Sequence, residues 1–376
     1  MQRLTAFADW AREAALPFWR ARAMDETGAF LEALTPDGAA ALGEVRRVRV
    51  SFRQLYVFAH AHTLGALDAT DFLQRGLERL EDLAWAKSGA PGWAHRLEPD
   101  LSIRDGSRDA YDHAFAAMAL SWVMQAAPDR QAERLLQETL ALLDGPFRHP
   151  AGGVRENLDT PAALRRQNPH MHLLEMYLTL YEHTEDRRFL DAGDGIIALF
   201  HEHFHEDGRL VEWFADDWSA APQTERDKLE PGHHVEWVWL LRWRERLGGP
   251  PVGDICARLM ETAKRGRRPG EIALCDEMQP DGTPTRPTKR LWVQTELLKA
   301  EIMQARAGVP GAAGAADAVA GAILDFYLDP AIRGGWADRI DADMRPDAPL
   351  IPASTFYHLF HAAMTARDFV RDQPTS

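Results

Sequence analysis

The sequence predicts an all-α protein, an (α/α)6 barrel in which six inner helices are enclosed by six outer ones. Helical periodicity runs through most of the 376 residues, and short Gly-containing turns interrupt it at regular places. Alternate helices begin about sixty residues apart, the spacing of one helical hairpin per repeat. Because no long linker interrupts this pattern, we predict a single catalytic domain over 1–376.

Alternate helices are of two kinds. The first kind carries polar and aromatic residues among its apolar ones and is predicted to form the inner ring, over 47–66, 109–127, 167–183, 231–247, 289–307 and 352–370. The second kind has an apolar stripe opposite a charged face, as a helix with one side in solvent does, and covers 69–87, 129–143, 186–203, 251–267 and 313–328. A helix at 5–23 is expected to close the outer ring beside the last inner helix.

The connections that lead back to the inner helices are long and contain turn signals. Each combines Gly or Pro with alternating residues, which predicts short β-hairpins at one rim of the barrel, near 89–93, 149–154, 206–210, 279–283 and 333–336. All inner helices would start at that rim. A pocket there would collect the side chains of their first turns.

Composition excludes several classes of protein. A net charge of −14 would repel phosphate backbones, so a nucleic acid is not expected as a partner. No apolar run approaches the length of a membrane span, and the first residues resemble an amphipathic helix, so no membrane association is expected and we predict a cytoplasmic protein. The two cysteines, Cys256 and Cys275, fit a reducing compartment. Phosphate loops and Gly-x-Ser-x-Gly elbows do not occur.

A turn signal runs directly into a helix at Pro231 and Gly232, and places His233 and Glu236 on one face of its first turn. A helix N-terminus has a positive dipole end, which lowers the pKa of a nearby histidine. We therefore predict that His233 is a neutral base near pH 7.

Two other inner helices carry matching residues. Asn168, His172 and Glu175 share one helical face, and His358 follows Tyr357 near the start of the last helix. Each histidine alone could be a hydrogen-bonded interior residue. Three at similar heights in the repeat can instead converge on one pocket and exchange protons near neutrality.

Arg53 enters an apolar helix without an acid at helical spacing. It needs either a buried carboxylate such as Glu175 or Glu236, or ligand oxygens. Tyr111 and Trp292 also lie on inner helices, and Trp292 could either pack in the core or stack on a ligand.

His201 to His205 match the H-E-x-x-H pattern of zinc proteases. A turn at 206–208 should end the helix that such a site needs, so we predict neither a metal nor another cofactor.

Five segments in order resemble the N-acylglucosamine 2-epimerase superfamily, which includes mannose isomerases and cellobiose 2-epimerases. They are 53–59, 168–175, 231–237, 291–296 and 357–359. The resemblance implies an (α/α)6 barrel and metal-free proton transfer on an open-chain monosaccharide.

The resemblance also implies roles for eight residues. His358 would remove the C2 proton to give an enediol and His233 would be the second acid or base. The other six would bind substrate or orient the groups that do: Arg53, Asn168, His172, Glu175, Glu236 and Trp292. We also predict that Tyr111, on an inner helix, binds substrate.

The Pro-Gly-His-x-x-Glu-Trp form at 231–237, preceded by Asp216 to Trp218, is more similar to the mannose isomerase branch. We therefore predict an isomerase, a monomer or homodimer, that interconverts D-mannose and D-fructose or a close aldose–ketose pair. An N-acylglucosamine or cellobiose-type 2-epimerase is the alternative within the family. From another class, an (α/α)6 glycoside hydrolase would use two carboxylates, such as Glu175, Glu236 or Asp105.

Overall fold

A computed structural model of the protein describes residues 1–160, 162–328 and 332–373. Two π-helical turns, Ala11–Ala15 and Phe200–Phe204, continue α-helices of the structure. In chain order the helices are α1 (Gln2–Trp10), α2 (Leu16–Arg20), α3 (Val48–Thr63), α4 (Thr70–Ala84), α5 (Ala110–Ala126), α6 (Arg130–Asp144), α7 (Asn168–Thr184), α8 (Arg187–Leu199), α9 (Gln223–Arg226), α10 (Pro231–Arg246), α11 (Gly253–Lys264), α12 (Leu291–Arg306), α13 (Ala312–Phe326) and α14 (Ala353–Arg371).

Six helices form a closed inner ring. Each of α3, α5, α7, α10, α12 and α14 packs against the next, and α14 packs against α3. The outer helices α4, α6, α8, α11 and α13 each pack on the inner helix before them, and α1 packs on α14. The predicted (α/α)6 barrel and the closure of its outer ring by the first helix are confirmed. None of the helices in the described part of the chain is long and apolar enough to cross a membrane.

The two rings differ in burial because they face different surroundings. In the outer helix α4 only one stripe is buried, made of Phe72, Leu73, Leu77 and Leu80 among others. The inner helix α7 is buried on all sides along Pro169 to Leu180. Polar side chains on inner helices therefore point either into a neighbouring helix or into the axis of the barrel.

Short strands lie at the rim where the inner helices start. They are β1 (Ala33–Leu34), β2 (Arg46–Arg47), β3 (Arg96–Leu97), β4 (Ile103–Asp105), β5 (Arg165–Arg166), β6 (His205–Glu206), β7 (Arg209–Leu210), β8 (Trp213–Phe214), β9 (Glu277–Met278), β10 (Pro284–Arg286), β11 (Lys289–Arg290), β12 (Arg339–Ile340) and β13 (Ile351–Pro352). Hairpins β6–β7 and β9–β10 and single bridges at Trp85–Trp93 and Arg148–Val154 match four predicted positions. At 333–336 the chain only turns, and the bridge lies further on, between Ile340 and Pro346.

These strands also link the six repeats to one another, which the sequence did not predict. The residues just before each inner helix pair with a segment before the next inner helix along the ring. The pairs are β2 with β3, Asp109 with Asn157, β5 with β8, Leu229 with Met278, β11 with β12, and β13 with β1. This ring of backbone bonds fixes the starts of the inner helices relative to each other.

Three inner histidines hold the hairpins in place. In each, Nδ1 lies within hydrogen-bond distance of a backbone carbonyl one turn earlier, and Nε2 accepts a backbone N–H from the returning hairpin. They are His113, His170 and His234, and burial lowers the pKa of each, to about 4, 3 and 4. These are neutral structural residues, and they are distinct from the histidines that line the barrel axis.

Candidate active site

A cavity of about 350 Å³ lies at the rim where the inner helices begin. Eight of the nine residues singled out from the sequence line it: Arg53, Tyr111, Asn168, His172, His233, Glu236, Trp292 and His358. The ninth, Glu175, lies deeper in the barrel and contacts His172. The first two turns of the inner helices therefore bring the three predicted histidines to one cavity.

His358 is held by a carboxylate from the neighbouring inner helix. Its Nδ1 lies 2.7 Å from Glu296 Oε1, so Nδ1–H donates to the carboxylate and Nε2 is left as a proton acceptor. Burial lowers the pKa of His358 to about 3, and the nearby positive charges of Arg53 and Lys299 also lower it. Glu296 raises this pKa, but not enough to offset them. His358 is a neutral imidazole over the physiological range.

His233 has the opposite character. Its Nδ1 lies 3.0 and 3.1 Å from the two oxygens of Glu212, and Glu230 Oε2 is 3.9 Å away. Burial lowers its pKa, but these two carboxylates outweigh burial and raise it to about 10. The prediction of a neutral base at this position was wrong, because it counted the helix dipole and did not include carboxylates from outside the helix.

Trp292 stands between the two imidazoles. Its ring centre lies 5.4 Å from that of His233 and 5.7 Å from that of His358. Gly232 makes this possible, since a Cβ there would come within 2.5 Å of the Trp292 ring. Gly232 was predicted to be part of a turn, but it lies inside the first turn of α10, and close packing explains it.

Arg53 contacts aromatic rings and a hydroxyl. Its Nη2 donates to Tyr111 Oη at 2.7 Å, and its guanidinium carbon lies 4.3 Å from the Phe115 ring centre and 5.1 Å from that of Tyr357. Within the described residues it has no carboxylate partner, and its Nε has no hydrogen-bond partner. Of the two predicted alternatives, a buried ion pair is therefore absent here, and the guanidinium is available to a ligand.

His172 and Glu236 form the floor of the cavity, and Glu175 lies beneath them. His172 Nδ1 lies 3.1 Å from Glu175 Oε2, and Tyr357 donates its hydroxyl hydrogen to the other oxygen of Glu175. Burial raises the pKa of Glu236 well above its usual range, and the carboxylate of Glu296 adds to this, so the neutral form of Glu236 is favoured. Its Oε1 has no hydrogen-bond partner in the part of the chain that is described.

Two carboxylates that decide the protonation of the histidines were missed as site residues. Glu296 was noted only as part of a motif, although its spacing placed it one turn into α12. Glu212 lies between β7 and β8, outside the helices, so no helical spacing could relate it to His233. The signal that could have indicated Glu212 is that it is a charged residue inside an otherwise apolar segment at the rim.

Three arginines at the rim are each bound by a carboxylate. At three alternate inner helices one carboxylate accepts from the backbone N–H of an arginine and also pairs with its guanidinium. The pairs are Arg47 with Glu32, Arg166 with Glu156, and Arg290 with Asp276. These guanidiniums are already compensated electrically.

Among the described residues three sets of side chains have ligand atoms within 4.8 Å of one another, close enough for a metal ion. One set, His95, Asp109 and Asp112, has no member in the lining of the cavity; the other two are His172, Glu175 and Glu236, and Glu212, Glu230 and His233. In both of the latter sets the imidazole Nδ1 already lies about 3 Å from a carboxylate oxygen. The expectation that no metal takes part remains a prediction.

Comparison with known proteins identifies the family. The model of N-acylglucosamine 2-epimerase (GlcNAc 2-epimerase) matches residues 28–362. A mannose-6-phosphate isomerase of Rhizobium meliloti (strain 1021) is 34% identical over 97% of this chain and 96% of its own. A D-mannose isomerase of Thermobifida fusca is 27% identical over 67% of this chain and 66% of its own.

The fold is shared with a solved structure, the cellobiose 2-epimerase of Spirochaeta thermophila DSM 6192. The TM-score is 0.88 at 24% identity, over 98% of this chain and 97% of that one. The resemblance seen in the five sequence segments is confirmed. The chain belongs to the N-acylglucosamine 2-epimerase family.

Proposed function

We propose that this protein is a sugar isomerase that interconverts D-mannose and D-fructose, or a closely related aldose–ketose pair, through an enediol. One observation carries the proposal. Two imidazoles line the same cavity with pKa values displaced in opposite directions, to about 3 for His358 and about 10 for His233. Such a pair supplies a base and an acid at the same pH.

His358 is the base in this proposal. Its Nε2 takes the proton from C2 of the open-chain sugar, and the C–H electron pair forms the C1–C2 double bond of the enediol. The imidazolium that results is stabilised by Glu296, 2.7 Å from Nδ1. Delivery of the same proton to C1 completes the ketose.

His233 is the acid. As an imidazolium it donates a proton to O1 while the enediol forms. It then accepts the proton of the O2 hydroxyl as the ketone carbonyl forms at C2, which restores the imidazolium. Its Nε2 lies 2.8 Å from the amide nitrogen of Asn168, so a protonated Nε2 requires the amide to turn its oxygen, Oδ1, toward the ring. Oδ1 has no hydrogen-bond partner among the described residues, and in that orientation Asn168 would position the imidazolium.

Three further residues would stabilise negative charge on the sugar oxygens. Arg53 brings a guanidinium with an unused N–H, Glu236 brings a neutral carboxyl group that can donate, and His172 lies beside Glu236 on the floor. Preorganised donors in a buried cavity act strongly on a developing oxyanion. Trp292, between the two histidines, offers a flat face to the sugar.

The substrate we propose is the free sugar. One relative is named a mannose-6-phosphate isomerase, and Arg47 and Arg290 line the cavity. Each of these arginines is paired with a carboxylate, so a phosphate would have to break an ion pair and would lie close to its negative charge.

The test is to incubate the enzyme with D-mannose, D-mannose 6-phosphate, N-acetylglucosamine, cellobiose and a mannan oligosaccharide in deuterium oxide, with detection by carbon-13 NMR. We expect fructose from mannose, with partial deuterium at C1, and loss of turnover in His358→Asn. Preferred turnover of the phosphate would overturn the free-sugar proposal. A C2 epimer would replace isomerisation by epimerisation, and new reducing ends would indicate a hydrolase.

A further inference from the structure

A second cavity, of about 280 Å³, lies at the other end of the barrel. All its lining residues belong to the six inner helices, and its outer part is formed by their last turns, for example His60, Trp122, Glu182, Arg246 and Asp368. We call it the distal cavity. It is four-fifths the size of the cavity that we assign to a monosaccharide.

A single layer of buried charged groups separates the two cavities. Glu175 and Lys299 form the floor of the distal cavity. On the opposite side of this layer Glu175 contacts His172, and Lys299 Nζ lies 2.8 Å from Glu296, the partner of His358. The distal cavity is therefore a separate space and does not include the catalytic imidazoles.

Aromatic rings line its walls. Trp122 stacks on His60 with ring centres 4.0 Å apart, and Trp239 stacks on Trp243 with ring centres 5.8 Å apart. Flat apolar faces with polar edges suit ligands that combine C–H faces with hydroxyl groups, since each face can cover a sugar ring.

The charges of the distal cavity select against ions of either sign. Its walls carry three carboxylates and three basic side chains, and Glu182 pairs with Arg246 at 2.7 Å. The C-terminal ends of six helices add a negative potential, which disfavours an anion. Lys299, 4.0 Å from the centre of the Trp239 ring, already occupies that face and disfavours a second cation.

Polar groups in the distal cavity are nevertheless available. Lys299 is 1% exposed and carries three N–H donors, of which Glu296 can take one. Trp243 Nε1 and His361 Nδ1 have no hydrogen-bond partner among the residues described. Buried polar groups are costly unless a partner satisfies them, so a ligand with several hydroxyl groups fits this wall.

We propose that the distal cavity is a second binding site, for a neutral polyhydroxylated ring of monosaccharide size. Trp122 and Trp243 provide the stacking faces, since Lys299 already covers the Trp239 ring, and Lys299 and Glu175 provide donors and acceptors at the floor. This site does not depend on the reaction at the other end of the barrel.

The experiment uses methyl α-D-mannopyranoside, whose locked ring cannot open and be turned over. The full chain, labelled with nitrogen-15 at the tryptophan indoles, is titrated and the Nε1 signals are followed by NMR. We expect saturable shifts at Trp122, Trp239 and Trp243. In Trp243→Ala the half-saturating concentration should rise about tenfold, which corresponds to about 1.4 kcal/mol and lies within the range for an aromatic contact.

Two further variants make the result decisive. Thr365→Phe places an aromatic ring at the half-buried mouth of the distal cavity and should abolish the shifts. Trp292→Ala changes the other cavity and should leave the shifts of Trp122, Trp239 and Trp243 unchanged. Thermal melts verify that each variant is folded. Shifts confined to Trp292, shifts that never saturate, shifts that survive both distal variants, or stronger binding of phosphate or choline would each overturn the proposal.

Discussion

Glu212 sets the protonation state of His233, and its replacement by glutamine tests the assignment of the acid. Glutamine keeps an oxygen that can accept from Nδ1–H but removes the negative charge. A pKa near 10 in place of 6.5 corresponds to on the order of 5 kcal/mol in favour of the imidazolium. Glu212 raises the pKa of His233 more than Glu230 does. We therefore expect this pKa to fall by about two units in Glu212→Gln.

The measurement is kcat/KM for ketose formation as a function of pH. The wild-type enzyme should keep its activity until His233 loses its proton near pH 10, and the alkaline limb should move toward neutrality in Glu212→Gln. Glu206→Gln is a matched control, because Glu206 lies in the adjoining β6–β7 hairpin but pairs with Arg226 on the surface. An alkaline limb that stays in place in Glu212→Gln would refute the role of His233 as the acid.

The same pKa shift predicts how stability depends on pH. The folded state holds the proton on His233 more tightly than the unfolded state does, so its contribution is complete below about pH 6.5. That contribution is lost as pH rises through about 10. The wild-type protein should therefore lose more stability than Glu212→Gln between neutral and alkaline pH, as measured by urea unfolding at each pH.

Three other changes test the remaining site. Glu296→Gln should lower kcat about a hundredfold or more with little change in KM, because Nδ1 of His358 loses its charged partner; an unchanged kcat would contradict this. Gly232→Ala should raise KM severalfold without loss of helicity by circular dichroism, since the new Cβ displaces Trp292. Lys299→Met should raise the pKa of His358 and move the acid limb of the pH profile upward, because Glu296 is no longer neutralised. Treatment with EDTA should leave the activity unchanged, and its loss would indicate a metal.

The barrel could be predicted because each repeat carries its own signal. Apolar spacing distinguishes an amphipathic outer helix such as α4 from an inner helix such as α7, and the turn residues recur with the same period. The rim pairing could not be predicted in this way. Strands of two or three residues, such as β2 and β11, are too short to show alternation, and their partners lie about fifty residues away.

The site residues were predictable where they lie on helices and not where they lie between them. Asn168, His172 and His233 stand in the first two turns of their helices, so a shared rim follows from the fold. The sign of the pKa shift at His233 did not follow, because it depends on Glu212, which is close only after folding. Helical spacing likewise could not show that His234, next to His233, binds backbone and takes no part in the cavity.

The asymmetry between the two proposed catalytic imidazoles depends on how far the charge of each neighbouring carboxylate is compensated. Each has a carboxylate near Nδ1, yet only His233 becomes a cation. Glu296, beside His358, has Lys299 at 2.8 Å and is largely neutralised, whereas Glu212 receives its other hydrogen bond from the uncharged amide of Gln167. A carboxylate raises the pKa of a buried imidazole only to the extent that its charge is not already compensated. In the proposed mechanism Lys299 therefore acts together with Arg53 near His358 and Glu230 near His233 to separate the base from the acid.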